Sequence, residues 1–283
     1  MEQKLELFLF YIIKFIILLF PVKIRYKIAE GVGVLAYKLI KNRRKITHKN
    51  IKIAFPSISD EEVKRIAISS YKNIGKTFFE LLWLKELKVE LKGKEKLEKA
   101  IKKDKGIIFL SLHLDNWEVL GKAMSTNGFS ISAVAKKQKN EKINKIINDI
   151  REGAGEGIKV IQKGKNTSSR ELIKALKSKA IIGLISDQYM EDVEVDFFGK
   201  KTYAPAGAAT FGVRFGIPVL MMYSVRNADN SHTVFIEDEI ELLKTGDKKE
   251  DIIKNTQLFM KEIEKPIQKY PEQWFWQHKR WRN

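Results

Sequence analysis

The sequence predicts an α/β fold: a single domain with a mostly parallel or mixed central sheet flanked by helices, preceded by an N-terminal membrane-anchor helix. Three observations predict it. Short apolar runs alternate with amphipathic stretches in the order strand, helix, strand, helix. Two of the runs, Ile107 to Leu112 and Ala180 to Ile185, are almost continuously apolar, as strands buried on both faces are. Three strands end in polar groups, His113, Asp187 and Arg226. Ligands of open α/β sheets bind outside the carboxyl ends of strands.

The elements follow in order. Leu5 to Val22 is apolar except for Glu6 and Lys14 and carries five aromatic residues. Its length is near the lower limit for crossing a bilayer, and Lys14 makes a full crossing costly. No small-residue cleavage site follows, so a removed signal peptide is not expected. Lys23, Arg25 and Lys27 come next, then Lys41, Arg43, Arg44 and Lys45, which place that side in the cytoplasm. The expectation is an uncleaved anchor over residues 1–22, spanning or lying in the interface, with the domain of residues 23–283 on the cytoplasmic face of the membrane. A buried amphipathic core helix is the other reading.

Ile24 to Lys41 continues as helix, with Gly31 and Gly33 allowing close packing, and Pro56 ends the helical region after it. Ser59 and Glu62 form a capping box for a helix to about Leu84. Strands are predicted at Val89 to Leu91, Ile107 to Leu112, Ile131 to Ala135, Lys159 to Ile161, Ala180 to Ile185, Val195 to Phe198, Val219 to Val225 and His232 to Ile236. Helices fall between them, and a last helix covers Thr256 to Lys269. Gly153, Gly155 and Gly157 follow a helix rather than a strand, so they are no dinucleotide fingerprint.

Composition narrows the chemistry. The 283 residues contain no Cys, which removes disulfides, thiolate catalysis and Cys-ligated zinc. No cofactor is called for. Lys plus Arg outnumber the acids 53 to 35, and the net charge of +18 favours anionic partners. No zinc spacing, RNP-type strand or helix-turn-helix supports nucleic acid among them.

The functional reading centres on His113-Leu114-Asp115-Asn116-Trp117-Glu118. On one continuous helix His113 and Glu118 would diverge by about 140°. Across a strand–loop–helix turn, with Asp115 or Asn116 capping a helix that begins near Trp117, they can converge. A His held by a Glu is a general base for a hydroxyl. A His at a strand end beside a Glu on a solvated helix face is the plain alternative. Arg170, Asp187, Lys136, Lys137, Asn116 and Arg226 are the candidate substrate-binding groups, since most sit past strand ends or at a helix start. Trp274, Trp276 and Trp281, with Lys279 and Arg280, read either as an interfacial anchor or as a packed C-terminal lid.

Several blocks in order resemble the late acyltransferases of lipid A biosynthesis, within the lysophospholipid acyltransferase superfamily. They are Arg44 with Asn50 and Phe55-Pro56; His113 to Glu118 as the H-x4-E block; Asn140, Arg151 and Arg170; Asp187-Gln188; Phe197-Phe198-Gly199; Arg226; and Gln273-Trp274-x-Trp276-x-His278-x-Arg280. The chain departs from the family at Lys136-Lys137, where an Arg is usual and a point charge replaces a bidentate fork. It lacks the H-x4-D and Phe-Pro-Glu-Gly-Thr blocks of the glycerol-phosphate branch.

The resemblance implies transfer of a fatty acyl chain from a thioester donor, acyl carrier protein or coenzyme A, to a hydroxyl of a glycolipid such as a lipid A precursor. His113 would be the base, Glu118 its orienting carboxylate, Arg170 an oxyanion or phosphate donor, and Asp187 a second carboxylate near the base. A mannosylated phosphatidylinositol acceptor, or a non-catalytic basic protein of the membrane surface, are the alternatives.

Overall fold

The computed structural model describes residues 2–163 and 169–282. Four helices come first: α1 (Glu2–Leu19), α2 (Val22–Leu39), α3 (Lys41–Ala54) and α4 (Asp60–Glu80). A 3-10 turn, Leu81–Glu86, leads to β1 (Val89–Lys92), α5 (Lys94–Ile101), β2 (Ile107–Ser111), α6 (Val119–Thr126) and β3 (Ile131–Lys136). Then come α7 (Glu141–Glu152), β4 (Ile158–Lys163), α8 (Ser169–Lys177), β5 (Ile181–Ile185), β6 (Val193–Phe197) and β7 (Lys200–Ala204). The chain continues through α9 (Gly207–Phe215), β8 (Val219–Arg226), β9 (His232–Glu239) and α10 (Lys248–Lys269).

The main sheet has seven strands in the order β1-β9-β8-β2-β5-β3-β4, and β6 and β7 form a separate antiparallel hairpin. Strand β2 lies at the centre, parallel to β5 and β8, and β3 is parallel to β4 and β5. Only the β8–β9 pairing within this sheet is antiparallel, so β9 and β1 run against the rest. The sheet is therefore mixed and mostly parallel, as expected.

Each residue of β2 is buried. Ile108, Leu110 and Leu112 enter the core on one face, with α4, α9, α10 and the C-terminal tryptophans. Ile107 and Phe109 enter the core on the other, with Trp83, Leu97 and α6. This alternation is the period-two direction of strand side chains. It explains why the run has no polar position to spare except Ser111.

Helix packing brings α4 under the sheet's edge. A Cβ on Gly33 of α2 would meet the Tyr71 carbonyl oxygen of α4 at 2.1 Å, and one on Gly75 of α4 would meet that of Ala29 at 2.3 Å. The two helices interlock through reciprocal glycines. Gly31, expected to help, has open space around it. Ser59 caps α4 by accepting from the Glu62 N–H, but the Glu62 carboxylate turns to Arg65 instead of closing the box.

The expected membrane-spanning segment is corrected here. No described helix is long and apolar enough to cross a membrane. Helix α1 holds Glu2, Lys4, Glu6 and Lys14 within its 18 residues. Ile17 is buried against the domain, and Arg25 donates to the carbonyls of Leu18 and Phe20 at the end of α1. Much of the helical pair's surface is apolar and exposed nonetheless, including Phe8, Phe15, Leu19, Leu35 and Leu39.

Candidate active site

The loop after β2 carries His113 to the carboxyl edge of the parallel strands. Four backbone contacts fix it. The Asp115 N–H donates to the Gln273 carbonyl (2.9 Å) and the Phe275 N–H to the His113 carbonyl (3.0 Å), either side of a Leu114–Trp274 bridge. Ser224 Oγ donates to the carbonyls of Leu114 and Asn116. Asp115 takes a left-handed conformation, φ 49°, which Asp tolerates better than most residues. Asn116 accepts from the Glu118 N–H at 3.0 Å, and α6 starts at Val119 rather than near Trp117.

The carboxylate that holds His113 is Asp187, not Glu118. Asp187 follows β5, the parallel neighbour of β2, so the two loop residues emerge side by side. His113 Nδ1 lies 2.7 Å from Asp187 Oδ1, and the His113 backbone N–H donates to Oδ2 at 3.0 Å. The Trp274 indole N–H also donates to Oδ2, at 2.7 Å. Burial alone would raise the Asp187 pKa, but the His113 charge and these hydrogen bonds outweigh it, and the carboxyl is held below its ordinary value. An ionised carboxylate only accepts. Nδ1 is therefore the donor, and in the neutral ring the lone pair sits on Nε2. The Gln188 side-chain nitrogen stands 3.4 Å from that atom. Trp117 and Phe275 flank the ring, at centroid distances of 4.7 and 6.0 Å.

Glu118 has a different partner. The Arg151 guanidinium, from the last turn of α7, donates to both of its oxygens at 2.7 and 2.5 Å. Two carboxylates thus have separate partners at the edge of the site, Asp187 the His113 imidazole and Glu118 the Arg151 guanidinium. The spacing argument placed His113 at a strand end and Glu118 at a helix start and expected the two to converge, but no described contact joins them. It could not see that the neighbouring strand delivers a nearer acid.

Two expected substrate-binding groups are withdrawn into the protein, because Arg226 neutralises buried acids and Asn116 hydrogen-bonds to one of them. Arg226, at the end of β8, is 8 % exposed and forks onto Glu80 of α4. It also pairs with Asp115 at 3.0 Å and donates to Asn73. Asn116 is fully buried and donates to Glu80 at 2.8 Å. His232 completes the group, 2.6 Å from Asp115 and 3.4 Å from Glu80. Burial works against the His232 charge, but Asp115 and Glu80 prevail and its pKa is pushed up to about 9. Burial likewise opposes the Glu80 charge, and Arg226 and His232 hold it at about 2. Two acids and two cations are buried together beneath the His113 loop.

Glu80 and His232 escaped the sequence reading. The signal for Glu80 was an acid inside the apolar run Phe78-Phe79-Glu80-Leu81-Leu82. For His232 there was no local sign.

The remaining cations stand apart from His113. Lys136 ends β3 on the same sheet edge and is exposed, and Lys137 pairs with Glu141 at 2.8 Å. Arg170 is exposed at the start of α8, and no described hydrogen bond or ion pair ties it to His113. The three tryptophans, Trp274, Trp276 and Trp281, are all buried, which settles the C-terminal segment as packed rather than interfacial.

The sequence pattern of the family described as bacterial lipid A biosynthesis acyltransferase matches residues 2–283. The chain is similar to the lipid A biosynthesis palmitoleoyltransferase of Escherichia coli K12, 24% identical over 263 residues that cover 89% of this chain and 82% of the relative. It is also similar to the lipid A biosynthesis lauroyltransferase of E. coli K12, 25% identical over a third of each chain. To a phosphatidylinositol mannoside acyltransferase of Mycobacterium tuberculosis it is 26% identical, over 45% of this chain and 41% of that one. With the match running the length of the chain, the chain belongs to the bacterial lipid A biosynthesis acyltransferases.

Proposed function

We propose that this acyltransferase moves a fatty acyl chain from a thioester donor, acyl carrier protein or coenzyme A, to a hydroxyl of a lipid A precursor in lipopolysaccharide biosynthesis. The observation that carries the reading is the His113–Asp187 pair at the carboxyl edge of β2 and β5, with His113 Nε2 turned away from the buried carboxylate. The names of the E. coli relatives support the lipid A acceptor, and that of the mycobacterial relative supports a glycolipid acceptor more broadly.

The reaction needs a base, because a neutral alcohol is a weak nucleophile. Nε2 takes the hydroxyl proton as the oxygen attacks the thioester carbonyl. The tetrahedral adduct then collapses, the carbon–sulfur bond breaks, and the thiolate recovers the proton from Nε2. Asp187 keeps the ring in the required tautomer and stabilises the imidazolium formed in between. The hydroxyl attacks directly, so no acyl-enzyme forms. Glu118, saturated by Arg151, shapes the wall beside the base. Lys136, Lys137 and Arg170 are the cations offered to phosphates or to the oxyanion, and Lys137 can exchange its exposed Glu141 for a substrate anion.

The exposed apolar side chains of α1 and α2, followed by Lys23, Arg25 and Lys27, suit helices lying in the cytoplasmic interface of the inner membrane. The test is lipid mass spectrometry on cells carrying the wild-type gene, no gene, or His113→Ala. Loss of one fatty acyl unit from the same glycolipid in the last two supports the reading. An unchanged lipid profile with His113→Ala refutes it.

A further inference from the structure

The Asp187 carboxylate receives three hydrogen bonds, and one comes from far along the chain. Two are from His113 itself, through Nδ1 to Oδ1 and through its backbone N–H to Oδ2. The third is the Trp274 indole N–H to Oδ2, at 2.7 Å. Trp274 is 2 % exposed and its ring is wedged between Trp276, with centroids 4.5 Å apart, and Phe197, at 6.0 Å. Its backbone bridges Leu114, and its neighbours Gln273 and Phe275 hydrogen-bond to Asp115 and His113. The same three-residue stretch therefore grips the loop that carries the base and the acid that orients it.

We infer that Trp274 is a positioning residue for acyl transfer: its indole N–H fixes the Asp187 carboxylate and withdraws charge from it, setting both the aim and the basicity of His113.

Other charges facing Asp187 leave this role open. His278 is the nearest further imidazole, but burial lowers its pKa to about 4, and its Nε2 accepts from the Tyr189 N–H. Arg280 is buried too, and its guanidinium is committed to Thr202 and Tyr203 and lies over Phe197. Neither donates to Asp187 among the described contacts. Without the indole, Oδ2 keeps only the His113 backbone donor, and the carboxylate gains both rotational freedom and charge density. More charge on the carboxylate favours the imidazolium. A looser carboxylate aims the ring less well.

The inference rests on the acyl-transfer reading, and the experiment separates the two. Full-length protein in detergent is made with Trp274→Phe, and with 3-benzothienylalanine at position 274, a shape mimic in which sulfur replaces the N–H. Trp276→Phe is the control. It trims the same aromatic cluster but loses only a bond to the Pro271 carbonyl. Histidine titrations are followed by NMR with labelled histidine, and kcat is measured as a function of pH. Both position-274 variants should move the His113 titration to higher pH, move the acid limb of kcat/KM with it, and lower kcat about tenfold or more, the loss expected for a hydrogen bond to a charged group. Trp276→Phe should leave the titration in place. A wild-type titration in the benzothienyl variant, or an equal shift in Trp276→Phe, overturns the inference. If the titration moves as expected but wild-type protein transfers no acyl chain, the inferred coupling stands and the proposed reaction falls.

Discussion

Replacing Arg226 with Met should unfold the protein more readily, and the size of the effect follows from what the guanidinium holds. Arg226 gives both terminal nitrogens to Glu80, reaches Asp115 at 3.0 Å and donates Nε to Asn73 at 2.9 Å. The Met side chain fills similar space but leaves Glu80 and Asp115 buried with His232 as their one remaining cation among the described residues. Breaking a buried ion pair from one side costs about 3–5 kcal/mol. Unfolding entropy near 2.1 cal/mol/K per residue converts each kcal/mol into roughly 2 °C for a chain this long. The melting temperature at pH 7, followed by far-UV circular dichroism in detergent, should fall by about 5–10 °C. Adding Glu80→Gln to the same chain should recover part of the loss, because it removes one orphaned charge. If Arg226 instead binds substrate, Arg226→Met will raise KM and leave the melting temperature within about 2 °C of wild type. That outcome would refute the buried-cluster argument.

Three further outcomes are expected. Asp187→Asn should lower kcat by about 10²–10⁴-fold, as expected when a positioned base is disabled; Glu118→Gln should cost less, and Glu118→Gln with Arg151→Met should cost little more than either alone, so additive losses in a single-turnover assay would argue against a shared role. Wild-type stability should depend on pH through the buried cluster: His232, raised to about 9 from 6.5, contributes fully below about pH 6.5 and loses its contribution as pH climbs through 9, whereas Glu80, held at about 2 against 4.5, contributes above about pH 4.5 and loses it toward pH 2. A melting temperature that is flat from pH 6.5 to 9.5 would contradict the charge assigned to His232. Finally, Phe8, Phe15 and Leu19 changed together to Ser should weaken binding to vesicles of anionic phospholipid without altering the fold, and undiminished sedimentation with the vesicles would remove α1 from the membrane contact.

Much of this architecture was legible because burial on both faces leaves a plain mark. Strand β2 was visible as an apolar run broken only by Ser111, β5 as another such run, and β8 as a mostly apolar run ending at Arg226. His113 and Asp187 were singled out because polar residues at the ends of such runs stand where ligands bind. Their direct pairing was not legible, since it depends on β5 lying next to β2, and strand order is a long-range fact. The reading of Arg226 failed for a related reason. A strand-end arginine looks alike in sequence whether it faces solvent or a buried acid from another element, and Glu80 belongs to a helix almost 150 residues earlier. The hairpin strand β7 was missed because its residues, Lys200–Ala204, carry no long apolar run. The spanning form of the anchor was not supported, because α1 carries Glu2 and Lys4 beside the Glu6 and Lys14 already weighed against a crossing.

The stretch that grips the His113 loop is synthesised after every strand of the sheet it completes. A chain still lacking that stretch has no Trp274, Trp276 or Trp281 to close the core face that Ile108, Leu110 and Leu112 enter, and its His113 loop has neither the Leu114 bridge nor the indole donor to Asp187. A chain cut short before Trp274 is therefore expected to lose the packing of that core face and the alignment of the His113–Asp187 pair together, so that stability and site geometry fail as one.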